Sequence, residues 1–168
     1  MSELSLRRWS VDDLDLLHRA NTLDMTAHLN GPETDDQVIA RHERYLRLQD
    51  GGEAWMFVVV DGDRPLGSIG CWETDWRGEA VLETGWFVLP EAQGQGVASS
   101  ALALLVDVMR EHNSERRLLT AFPSATNGPS NGVCRKAGFT HVGTMTEVFR
   151  DAELTVNEWV LDLSTRAA

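Results

Sequence analysis

The stretch that most constrains this chain runs from Ala80 to His112. A strand-like run ends at Val88. Leu89-Pro90-Glu91-Ala92-Gln93-Gly94-Gln95-Gly96 follows, and then a strongly apolar, helix-like run from Gly96 to His112. Pro90 closes the strand because it has no N–H to give to a ladder. The glycines allow backbone conformations and close approaches that side chains forbid. A strand, a glycine loop and a helix start together make an anion site: the first N–H groups of a helix have no partner inside it, and its dipole favours negative charge.

Three anion loops compete. A Walker loop needs Gly-Lys-Ser/Thr, and no lysine is present here. A dinucleotide fingerprint needs G-x-G-x-x-G in a first βαβ unit. Here Ser99 takes the third glycine's place, and the loop comes mid-chain after an antiparallel-looking hairpin. The third pattern is Gln93-x-x-Gly96-x-Ala98.

The rest of the chain reads as a β-rich α+β layer. Leu4–Trp9 alternates weakly as a first strand. Ser10 caps a helix through Asn21, and 23–30 is a short helix or loop ending at Asn30-Gly31-Pro32. Thr34 or Asp35 opens a second helix to about Gln49, with Val38, Ile39, His42, Tyr45 and Leu46 on one face. Ala54–Asp61 and Arg64–Glu73 flank Asp61-Gly62-Asp63, a hairpin signal. Ala80–Val88, Arg116–Phe122, Phe139–Phe149 and Leu154–Leu163 read as further strands, the last two joined around Arg150-Asp151-Ala152. Ser130–Ala137 is a short helix ended by Gly138. The order is not a repeating βαβ array.

Composition narrows the function. The chain has 168 residues, 42% hydrophobic, without a Gly/Ser/Pro-rich linker, so a single domain over 1–168 is expected. A formal net charge of −11 argues against nucleic acid and anionic membranes as partners. No apolar run approaches the ~20 residues that span a bilayer, and the N-terminus has no signal-peptide core. The two cysteines, Cys71 and Cys134, suggest no disulfide framework, and a cytoplasmic location fits. No pair of histidines or cysteines has metal-ligand spacing, so no metal is expected.

Two blocks together resemble the GNAT acetyltransferase superfamily. The first is Phe87-Val88-Leu89-Pro90-Glu91 followed by Gln93-x-x-Gly96-x-Ala98. The second is Asn127-Gly128-Pro129-Ser130 followed by Cys134-Arg135-Lys136-Ala137-Gly138-Phe139. Within the superfamily the chain looks most like the branch of ribosomal-protein N-terminal acetyltransferases. The resemblance implies a mixed, mostly antiparallel sheet of about seven strands with helices on both faces and a splay between the fourth and fifth strands. It implies acetyl-CoA as cosubstrate and a primary amine as acceptor, with direct transfer in a ternary complex. Dimers are common in that branch, so a homodimer is possible.

Carried onto this sequence, the loop Gln93, Gly94, Gln95, Gly96, Val97, Ala98 and Ser99 would hold the pyrophosphate. Phe87, Val88 and Leu89 would pair with the pantetheine arm, Val88 N–H lying near the thioester oxygen. Asn127 would hydrogen-bond near that arm, and it also suits a turn in Asn-Gly-Pro. An alkyl amine is mostly protonated at neutral pH, so a base or a water chain is needed. Glu83 is the leading candidate, with Glu73 and Asp75 behind it. Many family members use a tyrosine as acid in the helix before Gly138-Phe139. Here that position is Cys134, which can donate only weakly, so Ser130 or water can take the role. His28, Trp72 and Trp76 are the candidates for contact with the acceptor, an aromatic and acidic wall suiting a cation. The other histidines, His18, His42, His112 and His141, read as helix-face or surface residues. The alternative from a different class is a catalytically silent acyl-CoA-binding or regulatory domain on the same fold, and an NAD-binding oxidoreductase is the third.

Overall fold

The computed structural model describes residues 3–112 and 114–165. In chain order the elements are β1 (Leu4–Arg8), α1 (Leu14–Ala20), α2 (Asp35–Asp50), β2 (Ala54–Asp61), β3 (Arg64–Trp76), β4 (Glu79–Val88), α3 (Val97–His112), β5 (Leu118–Ala121), α4 (Gly128–Lys136), β6 (Thr140–Phe149) and β7 (Ala152–Asp162). The strands form one sheet in the order β1-β2-β3-β4-β5-β7-β6. Only β4–β5 is parallel among these pairings. This is the mixed seven-stranded α+β sheet the resemblance implied.

Local chemistry explains the boundaries. Thr34 caps α2: its hydroxyl accepts from Gln37 N–H while Gln37 Oε1 accepts from Thr34 N–H. Gly62, at φ +62°, opens the two-residue turn between β2 and β3, the conformation a type II′ hairpin asks of its first residue. Arg77 and Gly78, at φ +52° and +77°, make a type I′ turn that carries β3 on to Trp76, three residues past the Glu73 expected from sequence. The 23–30 segment forms turns, not a helix.

Helices cover both faces. On one side α3 and α4 bury Leu102, Leu105, Met109 and Cys134 against Ile69, Leu82, Leu119 and Trp159 of the sheet. On the other, α1 and α2 bury Leu17 and Val38 against Met56, Val58 and Val60, with Trp9 between them. His42, read from sequence as a helix-face or surface residue, lies on the inner face of α2 in this second layer: it is buried, and its Nδ1 accepts the Trp9 indole N–H at 3.0 Å. The N–H needs an acceptor once the ring is buried, and a helix-face histidine provides it. No described helix is long and apolar enough to cross a membrane.

Candidate active site

The site begins where two strands part. β4 and β5 pair only through Leu82–Leu119, Glu83–Thr120 and Thr84–Ala121. β5 then ends, while β4 runs on to Val88. Residues 85–88 therefore have β3 on one side and an open gap on the other. Leu89 N–H donates to Leu66 O at 2.8 Å. Strand alternation then turns the backbone of Phe87 and Leu89 toward β3 and that of Trp86 and Val88 toward the gap. The backbone groups of Leu89 are both used, its C=O accepting from Ala92 N–H. Of the three residues expected to present backbone to a pantetheine arm, only Val88 turns its backbone toward the gap. Phe87 and Leu89 pack their side chains with the α1–α2 layer instead. Trp86, passed over in the sequence, joins Val88 at the gap.

The glycine loop lies at the foot of this gap. Gly94 and Gly96 have φ +75° and +77°, and a Cβ on either would meet no heavy atom within 4 Å. Both glycines are thus required by backbone conformation, and both face open space. Gln93 Nε2 donates to Val88 O at 2.9 Å, tying the loop to the strand end. The first intrahelical bond of α3 runs from Ser100 N–H to Gly96 O. Helix geometry leaves the N–H groups of Val97, Ala98 and Ser99 without intrahelical acceptors. The first turn of α3 holds no acidic residue, whereas α1 and α2 both do. That helix end keeps its positive potential.

On the other side of the gap, Asn127 Oδ1 caps α4 by accepting from Ser130 N–H at 3.2 Å. The turn role is therefore filled, and Ser130 lies half-buried in the first turn of α4. Asn131, which the sequence did not single out, is the hub of this corner. It is buried; its Nδ2 donates to Ser124 O (3.0 Å) and Asn127 O (2.7 Å), and its Oδ1 accepts from Asn157 Nδ2 and the Trp159 indole (2.8 Å each). Cys134, a candidate acid by position, lies away from solvent. It is fully buried in the α3–α4 layer, and burial pushes its thiol up to about 12. A thiol that releases its proton so reluctantly is a poor acid toward a CoA thiolate.

Glu83 stands at the head of the splay. It pairs with Thr120, which pairs in turn with Val160 of β7, so Val160, Glu158, Val156 and Leu154 share its face of the sheet. Burial first, and the charge of Glu147 on β6 second, push the Glu83 carboxyl up to about 7. Trp72 is its partner across β3–β4, and a Cβ on Gly85 would lie 3.1 Å from the Trp72 ring edge. Trp76 is tied down: its indole N–H donates to Glu158 Oε2 at 2.6 Å, and Arg77 Nη2 lies 2.9 Å from Glu158 Oε1. The Arg77 hydrogen bond holds the Glu158 carboxyl below the usual range. Glu73 is also engaged, with Arg116 at 3.2 Å. Of the carboxylates considered, Glu83 alone combines a place at the splay with a raised proton affinity.

A cleft of about 300 Å³ opens on this same face. Its walls come from the α1–α2 loop (27–30), the β5–α4 loop (124–126) and the start of β7 (153–155). His28 is in it, Nδ1 at 3.2 Å from Thr126 Oγ1.

The fold is shared with solved structures. A spermidine N-acetyltransferase from Vibrio cholerae, in complex with CoA and spermine, is 20% identical, with 96% of each chain covered and a TM-score of 0.77. An acetyl transferase from Salmonella typhimurium that modifies the N-terminal serine of ribosomal protein L7/L12 is 19% identical, also at 96% of each chain, with a TM-score of 0.78. An N-acetyltransferase from Staphylococcus aureus Mu50 reaches 27% identity over 96% of this chain and 99% of its own, with a TM-score of 0.72. Comparison with curated proteins returns no match. The acetyltransferase (GNAT) domain matches residues 3–140, most of the length, and the chain belongs to that family.

Proposed function

We propose that the protein transfers the acetyl group of acetyl-CoA directly to a primary amine, with Glu83 as general base. The observation that carries this reading is the gap beyond Thr84, where β4 offers outward-facing backbone beside a glycine loop and a bare helix terminus. The pyrophosphate fits the N–H groups of 97–99, which Gly94 and Gly96 leave uncovered. The pantetheine amides fit the edge of β4, with Val88 N–H among the donors.

Strand geometry refines the position of the reacting carbonyl. A rise of roughly 3.3 Å per residue sets Trp86 roughly 10 Å along β4 from Glu83, and Val88 roughly 17 Å. Trp86 N–H is therefore the better placed of the two to stabilise the oxyanion, and Val88 N–H holds the arm beyond it. A preorganised donor of this kind contributes about 2.7–4 kcal/mol. Glu83 takes a proton from the incoming ammonium, directly or through water. The neutral nitrogen bonds to the thioester carbon, the oxyanion collapses, the C–S bond breaks, and the nitrogen releases its second proton to water to leave the neutral amide. The CoA thiolate takes its proton from water, because Cys134 is buried and holds its own.

The acceptor enters from the cleft beside His28 and Thr126. The structural relatives named above act on a protein N-terminus and on a polyamine. The acidic chain, with Glu83, Glu147 and Glu153 toward this side, favours a cationic amine. Calorimetric titration with acetyl-CoA, CoA and NAD in parallel tests the cosubstrate. Binding of the first two without the third supports the reading, and absence of CoA binding overturns it. Binding without amine-dependent release of CoA thiol would favour the silent acyl-CoA-binding domain instead.

A further inference from the structure

The α1–α2 loop and the tip of the β6–β7 hairpin are distant in sequence, yet they are tied together along one wall of the cleft. The tie is built of charge. The Glu33 carboxylate lies 2.5 Å from Arg41 Nη2 on α2 and 3.4 Å from Arg150 Nη2 at the hairpin tip. The three side chains are only 13%, 21% and 18% exposed. Two guanidinium groups share one partly buried carboxylate, and neither Glu33 Oε1 nor the buried Arg41 Nε makes a hydrogen bond beside these ion pairs. Burial lowers the Arg150 proton affinity and Arg41 lowers it further, while Glu33 opposes both. The trio carries a net charge of +1, so removing Glu33 leaves two guanidinium groups facing each other, whereas removing Arg150 leaves the Glu33–Arg41 pair matched but cuts its tie to the hairpin.

Hydrogen bonds to backbone carbonyls run the same way. Asn30 Nδ2 donates to Phe149 O (2.7 Å) and Ala152 O (3.3 Å), and Arg150 Nη1 donates to Gly31 O (2.7 Å). Glu33 is itself fixed to the end of α1: its N–H donates to Asn21 Oδ1 and its C=O accepts from Asn21 Nδ2, each at 2.8 Å. The two turn residues, Arg150 and Asp151, sit at φ +52° and +66°. A type I′ turn usually takes Asn-Gly here. Neither residue is glycine, so long-range contacts hold this turn where local preference does not.

The tied segments are the cleft walls: His28 and Asn30 stand on one, and Glu153 and Leu154 follow directly from the tip on the other. We propose that the Glu33–Arg41–Arg150 triad is a latch that sets the width of the acceptor cleft and so selects which amines reach Glu83. Arg150 is a positioning residue in this account and touches no reacting atom. The proposal rests on the acceptor reading of the cleft given above.

The test compares Arg150→Ala, Glu33→Gln and Arg150→Lys with the unaltered protein. Spermidine and a serine-initiated octapeptide serve as slender and bulky probes, and hydrogen exchange is followed over 26–31 and 149–153. In Arg150→Ala and Glu33→Gln, the ratio of kcat/KM between the two probes changes by about tenfold or more, through acceptor KM. CoA affinity stays within about twofold in all three, and exchange rises in both segments. Arg150→Lys keeps the charge and recovers part of the ratio. A ratio unchanged in both Arg150→Ala and Glu33→Gln overturns the latch. Unchanged exchange overturns it equally. If the unaltered protein acetylates neither probe, the transferase reading fails separately, and the exchange comparison still upholds or overturns the latch.

Discussion

Replacing Glu83 by glutamine separates the chemistry of the site from its cost to the fold. The site raises the Glu83 carboxyl from the ordinary 4.5 to about 7. A proton held more tightly in the folded than in the unfolded chain favours folding where it is bound. That contribution is full below about pH 4.5 and is lost as pH rises through about 7. With these two values, the stability supplied by Glu83 protonation falls by about 2 kcal/mol between about pH 5.5 and about pH 8. Glu83→Gln carries no such proton. Relative to the unaltered protein, the variant gains that amount over the same interval, which is about 4–8 °C in unfolding temperature for a chain of this size. It also lowers turnover by about 10²–10⁴-fold if Glu83 is the base, with CoA binding intact. Thermal unfolding of both proteins across this pH range is the assay. Parallel unfolding curves at every pH would show that the native site does not hold Glu83 protonated, and the pKa argument for a base would fall.

Three further outcomes are expected. Gly96→Glu abolishes CoA binding, since it puts charge and bulk where phosphate sits. The fold itself loses only about 1–2 kcal/mol, because the space is open and the cost is that of φ +77°; calorimetry and thermal unfolding check the two halves. Asn131→Ala lowers stability by roughly 2–4 kcal/mol, because the buried Trp159 indole and Asn157 lose their acceptor; denaturant titration measures it. Cys134→Ala leaves the transfer rate unchanged and costs roughly 1–2 kcal/mol of stability through lost packing; a slowed rate would return the thiol to the mechanism.

The glycine loop was legible in the sequence because its constraint is local. A left-handed backbone between a strand and a helix leaves few residue choices, and Gly94 and Gly96 show them. The Asp61-Gly62-Asp63 turn and the Thr34 cap were legible for the same reason. What escaped was fixed by residues distant in sequence. β5 was read as Arg116–Phe122 and is only Leu118–Ala121. Arg116 instead spends its guanidinium on Thr74 O and Val81 O, a contact that no periodicity announces. Because β5 is short, β4 outruns it, and the site depends on that difference in length. The register that turns Trp86 and Val88 outward, and Phe87 and Leu89 inward, follows from one hydrogen bond to Leu66 on another strand. Glu147 and Glu158 drew no attention in the sequence, and the bond between His42 and Trp9 could not be read there, since each acquires its meaning only from a partner elsewhere. Asn131 could have been suspected from its place four residues after Asn127, in a helix that opens with an asparagine cap.

The most direct test is the rate of CoA thiol release from acetyl-CoA, with and without a primary amine, across about pH 5.5 to 9. The account predicts release that depends on the amine, and a kcat that rises through about pH 7 as Glu83 loses its proton, levelling above it. Glu83→Gln should lose both the rate and that inflection. Tight CoA binding with no amine-dependent release, or a rate that ignores both pH and Glu83, would contradict the account.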